Sequence, residues 1–195
     1  SRTSLRGWNG DINLNRNQGA WNLNTAVWAT SPGFESGDLG FHFNGDVWGN
    51  HVAFTWKQIT PDKFTRYRDV LFAKFYVWDF ENTRLSDGAM IFGNMTFLNY
   101  WQLGGNTGFF RKIQDDRLTR GGPPALGLPS GFMNMYLNSD SRKNVVLHFN
   151  GGRGWNEPDG GSGDGSFSVE WKPSPELKLS TGPSYSHNIN VAQYV

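Results

Sequence analysis

The chain has no cysteine, which excludes disulfides and thiolate metal sites. That absence does not name a compartment, because exported barrels and cytosolic proteins alike go without the residue. Charge is also scarce, at 18% of residues, against roughly 25% in an ordinary soluble domain. The net charge of +1 gives no global field toward nucleic acid or an anionic surface. No apolar run approaches the roughly 18 residues a membrane helix needs, so a helical membrane protein is excluded. Ser1 is preceded by no initiator Met and followed by no leader pattern, and Asn190 to Val195 still carries a strand pattern. The expectation is therefore one partial domain over 1–195, cut at both ends.

What the chain does have is 25 glycines, nine tryptophans and 15% aromatic residues. Glycine, asparagine and aromatic side chains suit turns and strands better than helices. The apolar residues alternate accordingly. Trp8, Gly10, Ile12 and Leu14 share one parity, and Asn9, Asp11, Asn13 and Asn15 the other. Trp21, Leu23, Val27 and Ala29 stand against Asn22 and Asn24, then Val52, Phe54 and Trp56 follow. Phe64 to Phe80 also fits a helical period, but its Val, Phe, Tyr and Trp content reads as a long strand. A strand is expected over Ala89 to Trp101 and a turn at Gly104-Gly105-Asn106. Met133, Met135 and Leu137 alternate with Asn134 and Asn138; later, Phe167, Val169 and Trp171 alternate with Ser166, Ser168 and Glu170.

About ten strands follow, joined as an all-β antiparallel meander. Short connections near positions 17, 61, 105, 141 and 174 are expected to alternate with long ones near 38, 84, 123 and 158. Gly151 to Gly165 is read as one of the long loops. Tight turns at one end and long loops at the other are the rhythm of a transmembrane barrel. Alternation alone does not separate a soluble barrel from a membrane barrel, whose apolar face meets lipid. Tryptophans near strand ends favour the membrane form, as interfacial girdles. On that reading Leu23, Val27, Phe54, Phe167 and Val169 face lipid, and Asn22, Asn24, Ser166 and Ser168 face a wet lumen.

Two phrases in order are specific: Arg120-Gly121-Gly122-Pro123, then Ser139-Asp140-Ser141-Arg142-Lys143. Together they resemble the family described as domain of unknown function 5916. Ser31-Pro32-Gly33-Phe34-Glu35 leading to Asp38-Leu39-Gly40 is similar to the family's early loop. Lys172-Pro173-Ser174 and Gln193-Tyr194-Val195 are similar to its later strands. Pro124 departs from the pattern, standing where a larger apolar residue is expected. The resemblance implies a bacterial outer-membrane β-barrel region, placed after a carbohydrate-binding-like domain of the family 9 type. Its motif residues here are Asp38, Gly40, Arg120, Gly121, Gly122, Pro123, Ser139, Asp140, Arg142 and Lys143.

Chemistry is thinly signalled. His42, His51, His148 and His187 lack the paired spacing of zinc sites, and no nucleophile elbow, P-loop or dinucleotide fingerprint occurs. Asn156 to Ser166, with Asp159 and Asp164, superficially resembles a calcium loop but fails its register. Glu35, Asp38, Asp115 and Asp116 are available for glycosidase-type work, yet adjacent strand residues point to opposite sides. Arg120 is read as pinning its Gly/Pro loop, with a ligand contact as the rival role. Asp140 is read as capping the SDSRK turn, with Arg142 and Lys143 near a membrane boundary.

No cofactor or metal and no catalytic residue is expected, and the chain leans away from being an enzyme. Its expected partners are outer-membrane lipid and a glycan or oligosaccharide, with no nucleic acid. The function expected is a surface anchor or conduit in the outer membrane. A soluble all-β carbohydrate-active hydrolase or lectin-like module is the alternative.

Overall fold

The computed structural model describes residues 6–34, 45–111, 113–115, 125–156 and 160–189. Every regular element among them is a strand: β1 (Asn9–Arg16), β2 (Trp21–Thr30), β3 (Val47–Lys57), β4 (Thr65–Trp78), β5 (Arg84–Phe97), β6 (Gln102–Phe110), β7 (Ile113–Asp115), β8 (Ala125–Gly127), β9 (Ser130–Asn138), β10 (Val145–Asn156), β11 (Gly160–Ser174), β12 (Leu177–Thr181) and β13 (Ser184–Ile189). Eleven of them form one antiparallel sheet in the order β1-β2-β3-β4-β5-β6-β9-β10-β11-β12, with β13 also on β11; β7 and β8 pair separately. β12 and β13 occupy successive stretches of β11, either side of a break at Gly182-Pro183, where the Phe167 N–H donates to the Pro183 carbonyl at 3.1 Å. The meander thus has ten strand positions.

The registers carry each face across the sheet, because directly opposed residues of an antiparallel pair point the same way. Leu23 opposes Phe54, Phe54 opposes Phe72, and Phe72 opposes Ile91. Farther along, Leu137 opposes Phe149 and Phe149 opposes Phe167. These rows belong to a single apolar face. The other face runs from Asn15 and Asn24 through Asp69 and Asn94 to Asn134, Asn150 and Ser166. Leu23, Val27, Phe54, Phe167 and Val169 therefore share one face, and Asn22, Asn24, Ser166 and Ser168 the opposite one.

Almost nothing is enclosed. Ala26, Val47 and Val146 are the buried apolar side chains among the described residues, while Ile12, Val52, Phe54, Val70, Phe72, Ile91, Met133 and Met135 are exposed. β1, β12 and β13 are exposed along their whole length, and among the described residues β1 pairs only with β2. The sheet is not closed into a barrel.

Three sequence expectations are corrected. Gly104-Gly105-Asn106 is not a turn but the middle of β6, and the chain reverses at 98–101 instead. Gly151 to Gly165 is not a loop: Gly151 opposes Gly165, Gly152 opposes Asp164, and β10 and β11 run to a connection at 157–159. The strict short and long alternation fails with it, because 79–83 and 157–159 are short while 31–46 and 111–129 are long. Glycine locally favours turns, but in a sheet it also sits where a neighbouring strand needs room: the Tyr136 ring over Gly104, and the Asn134 and Asp164 side chains over Gly152.

Candidate functional site

The polar face owes its character to asparagine placed at alternate positions on successive strands. Asn94 on β5, Asn106 on β6, Asn134 on β9 and Asn150 on β10 lie on it, with Asp164 on β11. Asn134 Nδ2 donates to Asn106 Oδ1 at 3.1 Å, and the Tyr136 hydroxyl donates to Asn94 Oδ1 at 3.0 Å. Asn94 Nδ2 lies 3.4 Å from both Asp69 carboxylate oxygens, and Asn150 Nδ2 donates to Ser166 Oγ at 3.4 Å. Gly152 leaves room for Asn134 and Asp164 to reach over it: a Cβ there would stand 2.5 Å from Asn134 Oδ1 and 2.6 Å from Asp164 Oδ1. The result is an open concavity of ≈ 290 Å³ lined by Phe92, Asn94, Asn106, Tyr136, Asn150 and Asp164 among others.

Its chemistry follows from that lining. Amides and a phenol offer paired donors and acceptors without charge, Asp164 adds one carboxylate, and Phe92 adds an apolar surface. Hydroxyl-rich neutral solutes match such a surface. Two further polar clusters flank it. Asn13, Asn15, Asn24 and His51 are joined by side-chain hydrogen bonds at the β1 side. At the other side Glu170 takes Lys172 at 3.2 Å and Lys178 at 2.5 Å, with His148 at 3.9 Å.

The SDSRK turn sits apart from the concavity, at the end of the sheet where the 17–20, 58–64 and 98–101 connections lie. Ser139 Oγ accepts from the Leu147 N–H at 2.8 Å, which closes the mouth of the β9–β10 hairpin. Asp140 accepts twice from the Arg142 side chain, at 2.8 and 2.7 Å, and once from its backbone N–H at 3.1 Å. These bonds, the guanidinium's first, hold the Asp140 carboxyl down at about 2 and raise Arg142 above its ordinary value. Arg142 also lies 3.1 Å from the ring centroid of Tyr100 in the β5–β6 turn, and Arg66 lies 3.8 Å from the same ring. Lys172 Nζ donates to the Ser141 carbonyl at 2.7 Å. The turn thus reaches the β5–β6 turn through Arg142 and β11 through Ser141, tying strand ends together. Lys143 contributes its N–H to the Asp140 carbonyl at 3.1 Å.

Asp38, Gly40, Arg120, Gly121, Gly122 and Pro123 lie outside the described residues, as do Glu35, His42, Asp116 and Asp159. His51, His148 and His187 stand on β3, β10 and β13 and do not meet; among the described residues no three of His, Asp or Glu gather to hold a metal ion. Asp164 belongs to a strand and faces the concavity rather than a cation loop. Sequence reasoning missed Asn94, Asn106 and Tyr136 as partners. Their shared parity was visible, but the pairing of β6 with β9 across a long connection was not.

No curated protein and no solved structure matches the chain. The family model described as domain of unknown function (DUF5916) matches residues 1–195, and the chain belongs to that family.

Proposed function

We propose that the chain is a stretch of the wall of a bacterial outer-membrane β-barrel, acting as a surface anchor or conduit whose polar face admits or holds glycan-like solutes. The observation that carries this is the exposed, largely apolar face over a sheet with almost no core. Burying one Val, Leu, Ile or Phe side chain is worth about 1.5–3 kcal/mol. A sheet that leaves Phe54, Phe72, Ile91 and Met133 in water forgoes that gain at every strand, whereas hydrocarbon on that face restores it. Soluble folds instead pack such a face against a second layer.

Tryptophan placement supports the same reading. Trp21, Trp48, Trp56, Trp78, Trp155 and Trp171 are all on the apolar face by register. Trp48 and Trp78 stack at 4.4 Å at the long-loop end, and Trp21 meets Trp56 at 6.3 Å at the opposite end. Eight residues separate Trp48 from Trp56, about 26 Å along the strand. Tilted by about 40° this spans about 20 Å, near the roughly 25 Å apolar band of outer-membrane barrels. Unpaired strand edges are untenable in hydrocarbon, so β1 and β12–β13 are completed by further pairing in the whole barrel.

These 195 residues supply no cysteine of their own to compete with an introduced one. In the full-length protein, Phe54→Cys and Phe72→Cys are expected to react only with a lipid-soluble maleimide, and Asn106→Cys only with a water-soluble one. A protein that stays monomeric in buffer without detergent, with all three sites open to the water-soluble reagent, sinks the proposal.

A further inference from the structure

The apolar face is interrupted at the long-loop end by a charge cluster. Asp87 opposes Tyr76 across β4 and β5, and its carbonyl accepts the Arg111 N–H at 2.9 Å, so all three residues stand in one row of the apolar face. The Asp87 side chain is 0% exposed. It is covered by three cations: Arg84 at 3.1 Å, Arg111 at 3.7 Å and Lys74 in direct contact. Among the described residues no second carboxylate lies within ion-pair distance of any of the three. The cluster therefore carries two positive charges in excess among the described residues, on a face that is largely apolar but also holds Arg68 and Arg153.

The position of those charges matters as much as their number. Lys74 stands one step nearer the middle of the face, opposite Val52 and Ala89. Its ammonium lies 4.4 Å from the Tyr76 ring centroid and reaches toward the rim, as a snorkelling lysine does. Arg84 lies 5.9 Å from the same ring, and Tyr76 stacks on Trp78 at 5.4 Å. The cluster is therefore continuous with the aromatic girdle, at the depth where lipid head groups meet the protein.

We infer that Lys74, Arg84 and Arg111 form a binding site for the phosphate of an outer-leaflet glycolipid, with Asp87 holding the three side chains in place. This rests on the barrel reading above. Cations in a low-dielectric boundary are costly unless matched, and one carboxylate matches only one of three. Phosphate suits the remainder, since guanidinium groups bind its oxygens through charge-assisted hydrogen bonds. The end that carries both long connections, 31–46 and 111–129, is the external one on this reading, which places the site in the leaflet that carries phosphorylated glycolipid.

The test uses full-length protein in detergent, first checked for heat-modifiable gel migration, then given either diphosphorylated lipid A or its dephosphorylated form. Bound lipid is counted by native mass spectrometry. Retention of the phosphorylated form is expected to exceed that of the other by about tenfold or more. Arg84→Gln with Arg111→Gln is expected to remove the difference, and Arg111→Gln alone to reduce it; Lys74 stays in place, so Asp87 keeps a partner. Arg16→Gln, at the opposite end, is expected to leave it unchanged. Equal retention of both lipids, an unaffected double variant, or displacement by inorganic phosphate alone would each overturn the lipid-phosphate site while the barrel stands. Loss of heat-modifiable migration in the unaltered protein would instead overturn the barrel reading itself.

Discussion

The Tyr136 hydroxyl reaches Asn94 Oδ1 at 3.0 Å across the whole width of β6, and it does so over Gly104. A Cβ at position 104 would stand 2.5 Å from the Tyr136 ring and hydroxyl. A glycine that local sequence marks as a turn is, in the sheet, the seat of a ring.

Gly104→Val is accordingly expected to lift Tyr136 and destabilise the protein by about 1–3 kcal/mol, as overpacking does. Tyr136→Phe keeps the ring seated and removes one hydrogen bond, for about 0.5–1.5 kcal/mol at most. Urea unfolding from lipid vesicles measures both. A smaller loss for Gly104→Val than for Tyr136→Phe contradicts the seating.

The Asp140 carboxyl sits at about 2, below its ordinary 3.8, chiefly because the Arg142 guanidinium donates to it. A depressed carboxyl contributes stability that is present above its unfolded value and lost as pH falls through its folded one. The difference in thermal midpoint between the native protein and Asp140→Asn is expected to hold steady above about pH 5 and to shrink toward about pH 2. Asp62, lowered by the Thr65 and Phe64 N–H groups, titrates in the same direction and is present in both proteins, so it cancels. A difference that grows on acidification contradicts the assignment.

Val52 lies midway between Trp48 and Trp56 on the apolar face, while Val27 is one step from the Ala29–Trp48 row at the rim. Val52→Arg is the sharper probe of a lipid face for that reason. Its expected cost is about 2–4 kcal/mol in bilayers, with Val27→Arg costing less and Asn24→Arg, on the polar face, little. Equal tolerance at Val52 and Asn24 in folding titrations would argue against lipid on that face.

Asp164 is the one carboxylate among the side chains that line the concavity. If solutes pass along that face, Asp164→Asn is expected to lower the cation-to-anion permeability ratio in planar bilayers by about two- to fourfold, the size of one charge felt through water at several ångströms. Unchanged selectivity in a conducting protein places the path elsewhere.

Strand identity and facing were legible in the chain because period-two alternation is a property of consecutive residues. Leu23 and Val27 against Asn22 and Asn24, or Phe167 and Val169 against Ser166 and Ser168, carry it without knowledge of any partner. The long β4 was legible too: its helical period lost to the β-branched and aromatic residues that fill Thr65 to Trp78. The hairpin turn at 139–144 was marked by Asp140, whose carboxylate does accept the Arg142 N–H.

Register was not legible, since it is a property of pairs. Gly104 and Gly151–Gly165 look like turns until β9 and β11 are laid beside them. Lys74, Arg84, Asp87 and Arg111 are scattered along the sequence, and only the β4–β5 pairing and the Asp87–Arg111 backbone bond bring them together on adjacent rows of one face. Sequence by itself determined an all-β chain with one apolar and one polar face, through side-chain parity. Tertiary structure alone decided which rings lie over which glycines, which amides meet around the concavity, and where three cations share one carboxylate, because inter-strand hydrogen bonds set which distant residues stand side by side.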